Sequence, residues 1–138
     1  MNLADILLEM DKKILAVKTE NYEVKRLSKL TGQKFEIVLQ EVSPRRFLEI
    51  QNDCISFNRK GTSTTNLPEL ELRTLCEGIK SPEFKDTALL KRYNAATPKE
   101  LYLKIFNAGE ITSIYAAINR LSGISDEDTE QTVKSVKN

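Results

Sequence analysis

The chain has 138 residues, with Lys and Arg numbering 21 against 20 Asp and Glu, a net charge of +1 and no histidine. A length of roughly 100–150 residues suits one domain, and such a chain buries enough surface to fold without a disulfide framework or structural metal. The charge balance excludes the basic footprint of a dedicated nucleic-acid binder. The missing imidazole excludes Ser-His and Cys-His nucleophile pairs and every His-dependent metal site.

Residues 2–18 read as an amphipathic helix. Leu3, Leu7, Met10, Ile14 and Val17 recur at alternating spacings of four and three, and Ile6 widens the stripe. Either this helix packs on its own domain, or it is offered to a partner or to a second copy of the chain. On the second reading Leu3, Ile6, Leu7, Met10, Ile14 and Val17 are the candidate partner-binding residues. Next, Phe35, Ile37 and Leu39 alternate with Glu36, Val38 and Gln40, the period-two pattern of a half-buried strand. Tyr22, Val24 and Leu30 before it fit one strand face, although Val24, Leu27 and Leu30 also fit a helical stripe. Thr31-Gly32-Gln33 supplies a residue that takes positive φ readily, so a β-hairpin is expected.

Ser43-Pro44 is a helix start, with Ser at the N-cap and Pro where a missing N–H costs nothing. Phe47, Ile50, Cys54 and Phe57 then share a face. Residues 58–66 contain no apolar side chain and read as a surface loop; a single Gly61 without a following Gly-Lys-Ser/Thr makes a phosphate cradle a poor fit. A helix follows from Pro68 with Leu72, Leu75, Cys76 and Ile79 on one stripe, ended by Ser81-Pro82. Asp86 can cap a short helix carrying Leu89, Leu90 and Tyr93. Thr97-Pro98-Lys99-Glu100 is a capping box that opens a helix with Leu101, Ile105 and Phe106 inward. After a bend at Asn107-Ala108-Gly109, the last helix carries Ile111, Ile114, Tyr115, Ile118 and Leu121 and stops at Gly123.

The expected architecture is a helix-dominated α+β fold, an N-terminal helix and β-hairpin followed by a bundle of short helices. Residues 1–20 form the N-terminal helix segment, 21–124 one α+β domain, and 125–138 an acidic tail with Asp126, Glu127, Asp128 and Glu130. No run approaches the ~20 apolar residues of a membrane span, and Asp5 and Glu9 interrupt the start, so a cytoplasmic protein with no membrane partner is expected. Cys54 and Cys76, too far apart for a zinc knuckle, read as small core residues.

No pattern nominates a nucleophile with its base, a cofactor fingerprint or a metal ligand set, and the carboxylates read as solvated helix faces. No enzyme activity and no cofactor are expected. A helix-turn-helix reading of the C-terminal helix pair would make the chain a small regulatory nucleic-acid-binding protein. Its reading helix, however, would open on Glu110 and carry a single basic residue, Arg120, so no nucleic-acid partner is expected.

The order of segments is more informative than any one motif. Tyr22-Glu23-Val24-Lys25-Arg26-Leu27-Ser28 leads into Gln33-Lys34-Phe35-Glu36-Ile37, followed by the 47–57 helix and its polar loop. Then come Cys76-Glu77-Gly78-Ile79-Lys80-Ser81-Pro82-Glu83-Phe84-Lys85-Asp86, Leu89-Leu90-Lys91-Arg92-Tyr93, Ala96-Thr97-Pro98-Lys99-Glu100-Leu101 and Ala108-Gly109-Glu110-Ile111. This order resembles the XkdN-like tail assembly chaperones of tailed phages and prophages with contractile tails, over residues 20–124. Two positions depart from that pattern: Asn107-Ala108 stands where relatives more often have Leu-Pro, and Asn94 where glycine is more typical. The resemblance implies a non-catalytic morphogenesis factor of the host cytoplasm, absent from the mature virion. It would bind the tape measure protein, with the tail tube protein as a further partner and self-association through the N-terminal helix also open. In many relatives a ribosomal frameshift yields a longer form.

Overall fold

The computed structural model describes residues 1–124; the acidic tail expected at 125–138 lies outside them. In chain order the elements are α1 (Leu3–Glu9), a 3-10 turn (Lys12–Leu15), β1 (Thr19–Glu23), α2 (Lys25–Thr31), β2 (Glu36–Gln40), α3 (Pro44–Cys54), β3 (Ile55–Phe57), β4 (Ser63–Thr65), α4 (Leu67–Gly78), a second 3-10 turn (Pro82–Lys85), α5 (Thr87–Arg92), α6 (Pro98–Ile105) and α7 (Ala108–Leu121). The fold is helix-dominated α+β, as the sequence patterning predicts.

The first helix is shorter than its periodicity suggests. Asn2 and Asp5 cap α1 reciprocally, but the chain leaves the helix at Met10 (ψ 137°) and Asp11 (ψ 121°). The Asp11 carboxylate accepts a hydrogen bond from the Lys13 N–H (2.9 Å) and starts the 3-10 turn. A short polar side chain that can bond nearby backbone favours a cap over a helix interior, and a stripe without a packing partner does not outweigh it.

An antiparallel strand pair forms, but not the expected hairpin: its first strand is Thr19–Glu23 rather than residues 22–30, and a helix occupies the connection. β1 and β2 pair antiparallel, Tyr22 opposite Ile37 and Thr19 opposite Gln40. The segment that fitted both strand and helix resolves as helix from Lys25, because this buries Val24 and half-buries Leu27. Gly32 does take the left-handed conformation (φ 72°), but to close α2, its N–H bonding the Ser28 carbonyl (3.0 Å), rather than to turn a hairpin. Ser28 ties the unit together: its hydroxyl donates to Glu23 (2.9 Å) and accepts from the Phe35 N–H (2.8 Å).

The polar stretch after α3 also differs from the loop expected there. β3 and β4 form a small exposed hairpin, whose tip is organised by the Asn58 side chain accepting from the N–H groups of Lys60 (2.9 Å) and Thr62 (3.0 Å). Phe57, expected on the buried face of the preceding helix, falls in β3 and is exposed.

The core lies between β2, α4, α6 and α7, where Ile37, Leu39, Leu75, Leu101, Ile114 and Ile118 are the most deeply buried large side chains. α4 and α7 approach closely because Gly78 faces Ile118: a Cβ there would stand 2.5–2.7 Å from the Ile118 side chain. Beyond β2, Lys80 N–H bonds the Val38 carbonyl (2.7 Å) and Gln40 Nε2 donates to the Glu77 carbonyl (2.9 Å), so the chain leaving α4 covers that edge. Phe84, Tyr102 and Phe106 stack in series beside it, Phe84 edge-on to Tyr102 at 5.5 Å.

Candidate interaction surface

The conspicuous feature of the surface is its N-terminal segment. Of the thirteen large hydrophobic residues exposed among the described residues, eight lie in the first seventeen: Met1, Leu3, Ile6, Leu7, Leu8, Ile14, Leu15 and Val17. No residue of α1 or of the 3-10 turn after it is buried. The body takes hold of the chain at Lys18, whose N–H donates to the Glu41 carboxylate (3.0 Å) and whose carbonyl accepts from the Glu41 N–H (3.0 Å), extending the β1–β2 ladder. Exposed apolar side chains concentrated in this way on a small protein are suited to contact with another macromolecule.

Of the six residues expected to form one stripe, Leu3, Ile6, Leu7, Ile14 and Val17 are exposed and Met10 is half-buried. The structure groups them as two sets rather than one heptad face. Leu3, Ile6, Leu7 and Met10 share the side of α1 and its C-cap, and Ile14 and Val17 lie beyond the break at Met10–Asp11. Leu8 (83 % exposed) and Leu15 (68 %) fall outside the stripe and enlarge the surface. Their spacing of seven is a signal that the heptad reading leaves aside.

Several charge pairs lie elsewhere on the surface. Arg26 grips Glu110 through Nε (3.0 Å) and Nη2 (2.7 Å) and also donates to the Ile105 carbonyl, joining α2 to the α6–α7 corner. Those bonds hold the Glu110 carboxyl below its ordinary range, helped by the Asn107 N–H. Glu69 accepts from Lys99 (2.7 Å) and Arg73 (2.9 Å), which lower its pKa, and Arg73 reaches Asp53 (2.8 Å). Arg46 bridges Glu49 and Glu77. Arg26–Glu110, Arg73–Asp53, Lys99–Glu69 and Arg46–Glu77 connect separate elements, whereas Glu49 pairs with Arg46 inside α3. The corner that suggested a helix-turn-helix is closed in the same way, since Glu110 at the front of α7 is both partner of Arg26 and one half of a capping box with Asn107.

Cys54 is buried as expected. Cys76 is not: it is exposed at the wall of a groove of about 590 Å³ lined also by Gln40, Lys80, Phe84, Lys99 and Tyr102. α4 turns its core stripe through Leu70, Leu75 and Gly78, so position 76 rotates away. Partial burial in the groove pushes the Cys76 thiol and the Tyr102 phenol above their ordinary ranges, so both stay protonated near neutrality. Among the described residues no cluster of His, Cys, Asp or Glu could hold a metal ion, and no helix is long and apolar enough to cross a membrane.

Fold and surface together define a small helix-dominated α+β protein whose outstanding surface property is an apolar terminal segment. The sequence matches the phage XkdN-like tail assembly chaperone proteins over residues 5–137, and the chain belongs to that family. The fold is similar to a crystal structure of the protein YqbN, with a TM-score of 0.55 and 18 % identity over 80 % of this chain and 90 % of that one. No curated protein matches it.

Proposed function

We propose that this chain is a non-catalytic tail assembly chaperone that binds the tape measure protein during tail morphogenesis, through Leu3, Ile6, Leu7, Met10, Ile14 and Val17. It would act in the host cytoplasm, with the tail tube protein as a further contact, and be left out of the mature virion. In this reading residues 1–20 carry the contact surface and residues 21–124 are the body that presents it. The observation that carries the proposal is the concentration of exposed aliphatic side chains in the first seventeen residues of a member of this family. A long helical client with apolar stripes offers matching geometry, because helix-on-helix contact buries aliphatic side chains from both partners.

Co-production of the chain with the tape measure protein from the same tail gene cluster tests this. Wild-type chain is expected to keep the tape measure protein soluble and to copurify with it, and Leu7→Glu/Ile14→Glu to lose both properties while its circular dichroism stays unchanged. Copurification that is indifferent to those substitutions would place the contact elsewhere. No copurification at all would remove the proposal.

A further inference from the structure

The N-terminal segment is polarised in charge as well as apolar. Residues 1–11 hold Asp5, Glu9 and Asp11 and no basic side chain, whereas residues 12–18 hold Lys12, Lys13 and Lys18 and no acidic one. All six are exposed. The two halves are separated in space by the break at Met10–Asp11, so the acidic set belongs to α1 and its cap, and the basic set to the 3-10 turn and the short run up to Lys18.

We propose that, in the absence of a client, two copies of this chain cover each other's N-terminal segments in an antiparallel, two-fold pair, α1 of each lying along residues 12–18 of the other. A two-fold axis passing between Asp11 and Lys12 brings Asp5 toward Lys18, Asp11 toward Lys12 and Leu8 toward Leu15 of the second copy. A parallel pair would set acid on acid and base on base, so the charge order selects the antiparallel one. The area is sufficient. Eight aliphatic side chains exposed by about half or more offer on the order of 500 Å² of apolar surface per copy. Both copies together therefore reach the ~1,000 Å² at which specific interfaces begin. The interface is isologous and closes on itself, which keeps a sticky segment from propagating into chains of molecules.

This inference deepens the reading of the same surface: the self-paired form is the resting state that a client displaces. Sedimentation equilibrium on the full chain, from about 1 µM to about 300 µM and with no client present, tests it. The mass is expected to rise from monomer to dimer and to stop there. Leu7→Glu is expected to leave a folded monomer, judged by unchanged circular dichroism. Lys18→Glu is expected to weaken the dimer by at least about tenfold by setting acid on Asp5 of the second copy, and adding Asp5→Lys in the same chain to restore it. A monomer throughout overturns the proposal, whether the segment then binds a client helix or a lipid vesicle. A dimer indifferent to the Lys18 reversal overturns the antiparallel arrangement. Because the client is absent, failure here leaves tape measure binding standing. A chain that dimerises but does not retain the tape measure protein fails only the proposed function.

Discussion

At the scale of single residues, Asn94 and Asn107 have physical explanations. Asn94 has φ 54°, the one positive value outside glycine among the described residues. Asn tolerates the left-handed region better than other side chains bearing a Cβ. Asn94→Ala is therefore expected to cost about 1 kcal/mol and Asn94→Gly to stay within about 0.5 kcal/mol of wild type, both read by urea unfolding. Asn107 caps α7: its side chain accepts from the Glu110 N–H (2.9 Å), and Glu110 accepts in return from the Asn107 N–H (2.8 Å). Glu110 has its pKa depressed from an ordinary 4.5, mainly by the Arg26 hydrogen bonds. A depressed carboxylate contributes stability that is fully present above the unfolded value and lost as pH falls through the folded one. Glu110→Gln keeps an acceptor for the cap and removes the charge. It is expected to melt a few degrees lower than wild type at pH 7, with the two melting temperatures converging as the pH drops below about 4.

At the scale of elements, the close pairing of α4 with α7 organises the body. Gly78 ends α4 directly over Ile118, which is fully buried, and the missing side chain is what lets the two helices meet there. Gly78→Ala places a methyl group inside the Ile118 side chain, so it is expected to destabilise by about 1–3 kcal/mol, whereas a glycine-to-alanine change in a helix ordinarily stabilises. Ile118→Ala is expected to cost about 2–5 kcal/mol on its own by leaving a void. Their combination should cost less than the sum, since the added methyl occupies part of the vacated space. A double-mutant cycle by chemical denaturation checks the sign of that coupling. Additive costs would show that the two residues do not share one space.

At the scale of the whole molecule, the body and the N-terminal segment are stabilised differently. The body has one core continuous from Val24 to Ile118, whereas residues 3–15 bury nothing in it. Deleting residues 2–16, which keeps Lys18 and its bonds to Glu41, is expected to change the unfolding free energy by less than about 1 kcal/mol, with a single cooperative transition. Thermal melting followed by circular dichroism measures this. A loss of several kcal/mol would mean that the segment contributes to the core after all.

Local interactions were legible in the amino-acid order alone. Ser43-Pro44, Asp86, Thr97-Pro98 and Gly123 start or stop helices where their backbone chemistry says they should, and the alternation of Ile37 and Leu39 marks a strand buried on one face. These signals are short-range, since each is satisfied within a few residues of itself. The apolar character of the candidate surface was legible for the same reason, from Leu3 to Val17. Long-range packing determined the remainder. Residues 22–30 fit strand and helix alike and Thr31-Gly32-Gln33 favours a hairpin, but the packing of Val24 and Leu27 chose helix from Lys25. Cys76 lay on the expected stripe, yet the rotation of α4 that serves Leu70, Leu75 and Gly78 left it at the surface. The continuous helix predicted for residues 2–18 failed in the opposite way: no neighbour buries its stripe, so the local preference of Asp11 to cap prevailed over periodicity. Periodicity specifies which side chains could share a face, and burial against a partner decides whether they do.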